Sequence, residues 1–114
     1  MANTFKLVTK ANVTSADVIY TPNAVTTVIL GLILGNTTTS QVTATVSLAS
    51  STGSRAGDNN ESNQTVELIT DAPIPAGSSL ELLAGNKVVM EDNDALSVTS
   101  TGSTDVALSI MEIS

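Results

Sequence analysis

Glu91-Asp92-Asn93-Asp94 places three carboxylates and one amide oxygen in four consecutive residues. Oxygen donors gathered in a turn are the ligands Ca²⁺ takes, but the spaced Asp/Asn, central Gly and distal Glu of an EF-hand loop are missing. Asp and Asn are also the ordinary residues of a tight turn, because their short side chains bond the local backbone. Turn chemistry is the stronger reading, and no metal site is assigned. Glu67 and Glu81 could in principle supply a carboxylate pair for glycoside hydrolysis. Each alternates with apolar neighbours, which is the pattern of a side chain pointing out of a sheet into water.

Serine is abundant, yet the chain has no His to act as base and no G-x-S-x-G elbow. A Ser–Lys arrangement with Lys6, Lys10 or Lys87 is the formal remainder. No catalytic residue and no cofactor is assigned, and the chain is expected not to be an enzyme. Arg55 is the one arginine, set in a loop of small polar residues. Its planar fork could hold a carboxylate on a partner, or it could be a solvated loop tip. Asn-x-Ser/Thr occurs at Asn12, Asn36, Asn60 and Asn63, but chance supplies such matches in a chain this rich in Ser and Thr.

The residues that must position these groups are mostly small and β-branched. Of 114 residues, 17 are Thr and 14 Ser, with 12 Val and 7 Ile. Thr, Val and Ile are stiff at χ1 and suit a pleated sheet better than a helix. Charged residues make up only 13 %, while 41 % are hydrophobic and the mean hydropathy is +0.25. Disorder would need low hydrophobicity and high charge, so the chain is expected to fold. The net charge of −7 opposes nucleic acid, whose binding depends on neutralising phosphates. The absence of Cys removes disulfides and thiolate chemistry. Phe5 and Tyr20 are the only aromatics, too few for a stacking platform.

Two-residue alternation between turn signals predicts about eight short strands. Nine segments carry the pattern, at 5–9, 16–21, 25–34, 42–48, 64–70, 79–83, 87–91, 95–99 and 105–113. Val42, Ala44, Val46 and Leu48 alternate with Thr43, Thr45 and Ser47, the pattern of a half-buried strand. Gly31, inside the nearly continuous apolar run 25–34, predicts a bulge or a close backbone approach. Pro73 and Pro75 predict an extended connection outside the sheet ladder over 71–77. Residues 50–63 read as a mobile loop. The fold class expected is all-β: one antiparallel β-sandwich domain over 1–114, of jelly-roll or immunoglobulin-like type. The apolar run is about half the ~20 residues a membrane-spanning helix requires, and the N-terminus has no signal-peptide pattern. No membrane partner is expected, and synthesis in a cytoplasm is.

Several stretches are similar to small virion structural proteins of tailed bacteriophages, of the kind found in marine and cyanobacterial phages. They are Met1-Ala2-Asn3-Thr4-Phe5-Lys6; Val28 through Leu34 leading into Asn36-Thr37; Asp71-Ala72-Pro73-Ile74-Pro75-Ala76-Gly77-Ser78-Ser79-Leu80; and Ser97 through Ser100 with Leu108 through Glu112. The resemblance runs over most of the chain and is least in the 50–63 loop. It implies a small β-sandwich without enzymatic activity, present in repeated copies on the particle as capsid decoration (cement), neck or tail.

The function expected from it is capsid decoration by a homotrimer that clamps the major capsid protein. The alternatives are a neck, tail or fibre-attachment role, or a loop-based module that binds a host surface. Contact elements are expected in the N-terminal arm 1–10, with Phe5 and Lys6, in the loop at Arg55, and in the C-terminal strand at Ile110. The apolar strand near Val28–Leu34 and the C-terminal segment Leu108–Ile113 are open to two readings, an intersubunit face or the monomer core.

Overall fold

The computed structural model describes residues 3–51, 64–83 and 87–113, and these hold nine strands and no helix. They are β1 (Asn3–Val13), β2 (Asp17–Tyr20), β3 (Thr26–Asn36), β4 (Val42–Ala49), β5 (Thr65–Ile74), β6 (Ser79–Leu82), β7 (Val88–Met90), β8 (Ala95–Ser100) and β9 (Thr104–Ile113). Two antiparallel sheets form. Sheet A has the order β1-β9-β3-β6, with β7 pairing the opposite end of β3 along the same edge as β6. Sheet B has the order β2-β8-β4-β5. The all-β antiparallel sandwich expected from composition and alternation is the fold observed, with nine strands where about eight were expected.

The core lies between the sheets. Ile29, Leu32 and Leu34 of β3 and Val106, Leu108 and Ile110 of β9 meet Val42, Ala44 and Val46 of β4 and Leu96 and Val98 of β8. Period-two alternation sends every second residue of these strands inward. The register slips between Ile29 and Gly31, so the bulge that Gly31 predicts is present. The slip keeps Ile29 and Leu32 on the same inner side although they are three residues apart.

The expectation for 71–77 needs correction. β5 continues through Pro73, which pairs with Thr43, to Ile74, which pairs with Val42. β5 is the edge of sheet B, and a proline on an edge strand can turn its missing N–H to solvent without costing a ladder bond. The chain turns afterwards at 75–78, where Ser78 N–H donates to the Pro75 carbonyl and Gly77 takes a φ of +70°. That geometry is open to Gly at no steric cost.

The corners between sheets are tied by side chains. Asn36, 4 % exposed, donates through Nδ2 to the carbonyls of Ser40 and Ile74, and its Oδ1 accepts from Thr38 N–H and Thr38 Oγ1. The Asn-x-Thr match at Asn36 is therefore a buried corner. At the β8–β9 corner, Ser100 and Thr104 hydroxyls bond at 2.8 Å, and a Cβ on Gly102 would lie 2.6 Å from Val42 Cγ1. The acidic run Glu91–Asp94 is the turn between β7 and β8. Asn93 has a φ of 69°, Asp94 N–H donates to the Glu91 carbonyl, and the Asp94 carboxylate accepts from Glu91 N–H and Ser51 N–H. Among the described residues no cluster of three or more acidic side chains is placed to hold a metal.

Candidate assembly surface

β1 is the edge of sheet A and is solvent-exposed along nearly its whole length, on both faces. Its alternation places Thr4, Lys6, Val8 and Lys10 opposite the inward residues of β9, and Phe5, Leu7 and Thr9 opposite the outward ones. Phe5 is 71 % exposed and Leu7 67 %. In water these two side chains leave most of their apolar area unburied, which is a cost without a partner.

The register carries this pattern across the outer face of sheet A. Phe5, Met111, Val28 and Val89 form one row over β1, β9, β3 and β7. Leu7, Ser109 and Gly31 form the next, followed by Thr9, Ala107, Ile33 and Glu81. Large apolar side chains fill the first row, while the last mixes the small Thr9 and Ala107 with the exposed Ile33 and with Glu81. Around Ile33 lie two shallow depressions, of about 380 Å³ and about 130 Å³. Thr9, Ala11, Gly35 and Ala107 help line the first, and Gly31, Ala107 and Ser109 the second, with Ile33 bordering both. Glu81 closes the last of these rows and borders the smaller depression, Asp105 lies opposite Gly35 one row further on, and Lys10 and Asp105 line the larger depression.

The outer face of sheet B is built differently. Thr43, Thr45 and Ser47 of β4 and Ser97 and Thr99 of β8 point outward, each on the side opposite the core. Thr45 Oγ1 accepts from Asp71 N–H, and Thr70 Oγ1 donates to Glu67. The outer face of sheet B is thus rich in hydroxyls, with Val18, Glu67 and Pro73 among them, while that of sheet A is mainly apolar, with Glu81 and Asp105 toward one end.

Beside this face, an inward polar network fastens β1. Lys6 Nζ lies 2.7 Å from Glu112 Oε1. Tyr20 donates its hydroxyl proton to Glu112 Oε2 at 2.6 Å and is 2.7 Å from Thr27 Oγ1, which then donates to it. The Lys6 ammonium, and next the Tyr20 hydroxyl, hold the Glu112 carboxyl below the usual carboxylate value. Burial, together with the Glu112 carboxylate, pushes the Tyr20 hydroxyl up to about 12. The sequence reading missed this network. Its signal was a glutamate on the inward side of β9, since an acid on a core-facing position needs donors.

The contact residues expected from sequence fall in different places. Phe5 stands on the exposed face. Lys6 is on the same strand but turned inward, where it serves Glu112. Ile110 is 1 % exposed and sits in the core, so it offers no contact surface; that expectation is corrected, and Met111 beside it takes the outward position. Arg55, with 52–63 of its loop, lies outside the described residues. The two readings of the apolar strands resolve by alternation, since their inward residues build the core and their outward ones the exposed face. Glu67 and Glu81 lie on different sheets and form no pair.

No family model and no curated protein matches the chain. A solved structure from work on Bacillus endospore appendages, described as a novel family of disulfide-linked pili, aligns over 96 % of this chain and 85 % of that one. The identity is 14 % and the TM-score 0.44, a distance at which nothing about those pili is carried over. This chain has no cysteine. The match is not a phage protein, and none of these comparisons supports the expected phage resemblance.

Proposed function

We propose that this chain is a non-enzymatic structural protein that is built into a larger assembly through the outer face of sheet A. The observation that carries the reading is the gathering of exposed large apolar side chains on the outer face of sheet A, against a sheet B face richer in hydroxyls. A monomer working alone in water gains nothing from leaving Phe5, Leu7, Ile33 and Val89 open, and a contiguous exposed apolar patch marks an interaction surface. The net −7 keeps the chain soluble before assembly.

The finer form of this proposal follows the resemblance: a tailed-phage virion protein, with capsid decoration on the major-capsid lattice as the leading place and neck or tail as the second. The expected location is then the virion, after synthesis in the host cytoplasm. Cryo-electron microscopy of purified particles from a phage that encodes the chain tests it. Decoration predicts density for the sandwich repeated over the lattice, and a neck role predicts one ring. Particles without the chain would end the virion reading.

A further inference from the structure

Residues 3–10 of β1 lie along sheet A without helping to build the core. Of their side chains only Val8 packs against the core, and it stays partly exposed. β1 has little contact with sheet B. Its neighbour β9 is held by other means: Val106, Leu108 and Ile110 belong to the core, and β3 pairs the far side from Thr26–Ile113 to Asn36–Thr104. Lifting residues 3–10 away breaks a backbone ladder but takes no fully buried side chain out of the core.

The fastening of this segment is uneven. Its ladder runs from the Asn3–Ile113 pair to the Lys10–Val106 pair. Among the described residues its one side-chain tie is Lys6 to Glu112. The register then breaks, Asn12 takes a φ of 60°, and the buried Val13 pairs again, with Thr104. Asn12 N–H donates to Asp105 Oδ1 at 3.0 Å, and Asn12 Oδ1 accepts from Ser103 Oγ at 2.8 Å. The chain is thus pinned at 12–13 and only laid down before it. Segments with few buried apolar contacts and exposed backbone bonds are the ones that open locally.

We infer that residues 3–10 form a strap that opens about the bend at 11–12 while the sandwich stays folded, and that the uncovered edge of β9 takes the same strand from a second copy. The structure itself names the occupant. The strand seated on β9 is β1, in unbroken register over 3–10 and with Lys6 matched to Glu112. A β1 from another copy makes those same bonds, which is the condition for exchanging an identical element. The free edge of β1 is a poorer acceptor, because edge lysines such as Lys6 and Lys10 discourage a further strand. In dilute solution the chain's own strand wins through its high effective concentration, and exchange grows as copies are crowded together. None of this draws on the outer face of sheet A, so the inference stands or falls apart from the role proposed above.

Two measurements on the full chain test it. In native-state hydrogen exchange, the β1 amides bonded to β9 are expected to exchange through an opening with little denaturant dependence. The β9 amides bonded to β1 should exchange with them, while those bonded to β3 stay protected to global unfolding. Lys6→Met removes the one side-chain tie and should raise this opening about two- to fivefold, leaving the β3 amides unmoved.

The second measurement uses the absence of native cysteine. Leu7→Cys and Ser109→Cys chains are mixed and treated with a short bismaleimide, since positions 7 and 109 are direct partners across the β1–β9 ladder. A cross-link between position 7 of one copy and position 109 of the other is expected. Its yield should rise with concentration and exceed that of Leu7→Cys mixed with Thr99→Cys, whose second site lies on sheet B. Lys6 points to the inner side, so outer faces that merely touch give a yield indifferent to Lys6→Met; exchange gives one that rises about two- to fivefold. β1 amides that exchange only on global unfolding overturn the inference. So does a 7–109 yield no greater than the 7–99 yield, or one that Lys6→Met leaves unchanged.

Discussion

At the residue scale the informative group is Tyr20. It is the only tyrosine, and the chain has no tryptophan, so phenolate absorbance reports this one hydroxyl. Its titration is expected near pH 12 in the folded protein, against the ordinary value of 10.0. Glu112→Gln removes the carboxylate that accepts its proton and should bring the midpoint partway down; burial, the larger cause, remains. A wild-type midpoint at the ordinary value would contradict the network.

The same groups set the direction of pH effects on stability. Tyr20 has a folded value above its unfolded one, so its contribution is complete below about pH 10 and is lost as pH rises through about 12. Glu112 is shifted the other way. Its contribution is complete above the unfolded carboxylate value and is lost as pH falls through the lowered folded one. Thermal unfolding should show a flat plateau between, and Tyr20→Phe should abolish the part of the alkaline fall that Tyr20 contributes. The Lys6–Glu112 pair is half open to water, so its own stabilisation is about 0.2–1 kcal/mol.

At the element scale, legibility in the sequence divides by the range of the physics involved. β4 was readable because Val42, Ala44 and Val46 alternate with hydroxyl residues, and alternation is a local consequence of pleating. The bulge was readable because Gly31 interrupts an apolar run. Pro73 misled, since its place in a ladder depends on β5 being an edge, which only strand order reveals. β1 extends beyond the expected 5–9 because its register is set by β9, about a hundred residues away in the chain. The face itself was half legible. Phe5 was chosen from its place in the N-terminal arm, while Ile110 was chosen without knowing which side of β9 faced the core.

One element-level prediction concerns the β8–β9 corner. Gly102→Ala would drive a Cβ to 2.6 Å from Val42 Cγ1, a stiff and buried side chain. Overpacking of this kind costs about 1–3 kcal/mol, measurable as a fall in the denaturant midpoint at unchanged slope. Gly31→Ala meets nothing within 4 Å and should be much milder, although it fills one of the outer depressions.

For the whole molecule, the two sheets divide the work. Their inner faces share one apolar core, which is enough to fold the chain. Their outer faces differ in a way that folding does not require, and the proposed assembly role would account for the difference. The apolar face, read from strand register, is the observation on which the proposed role rests.

Hydroxyl-radical footprinting of the assembled form against the dilute chain tests that central claim most directly. Phe5 and Leu7 on the outer face of sheet A should lose most of their reactivity on assembly. Val18 and Val66 of sheet B, exposed to similar degrees at 49 % and 54 %, should keep theirs. Equal reactivity of Phe5 and Leu7 in both forms, or protection of Val18 and Val66 instead, would contradict it.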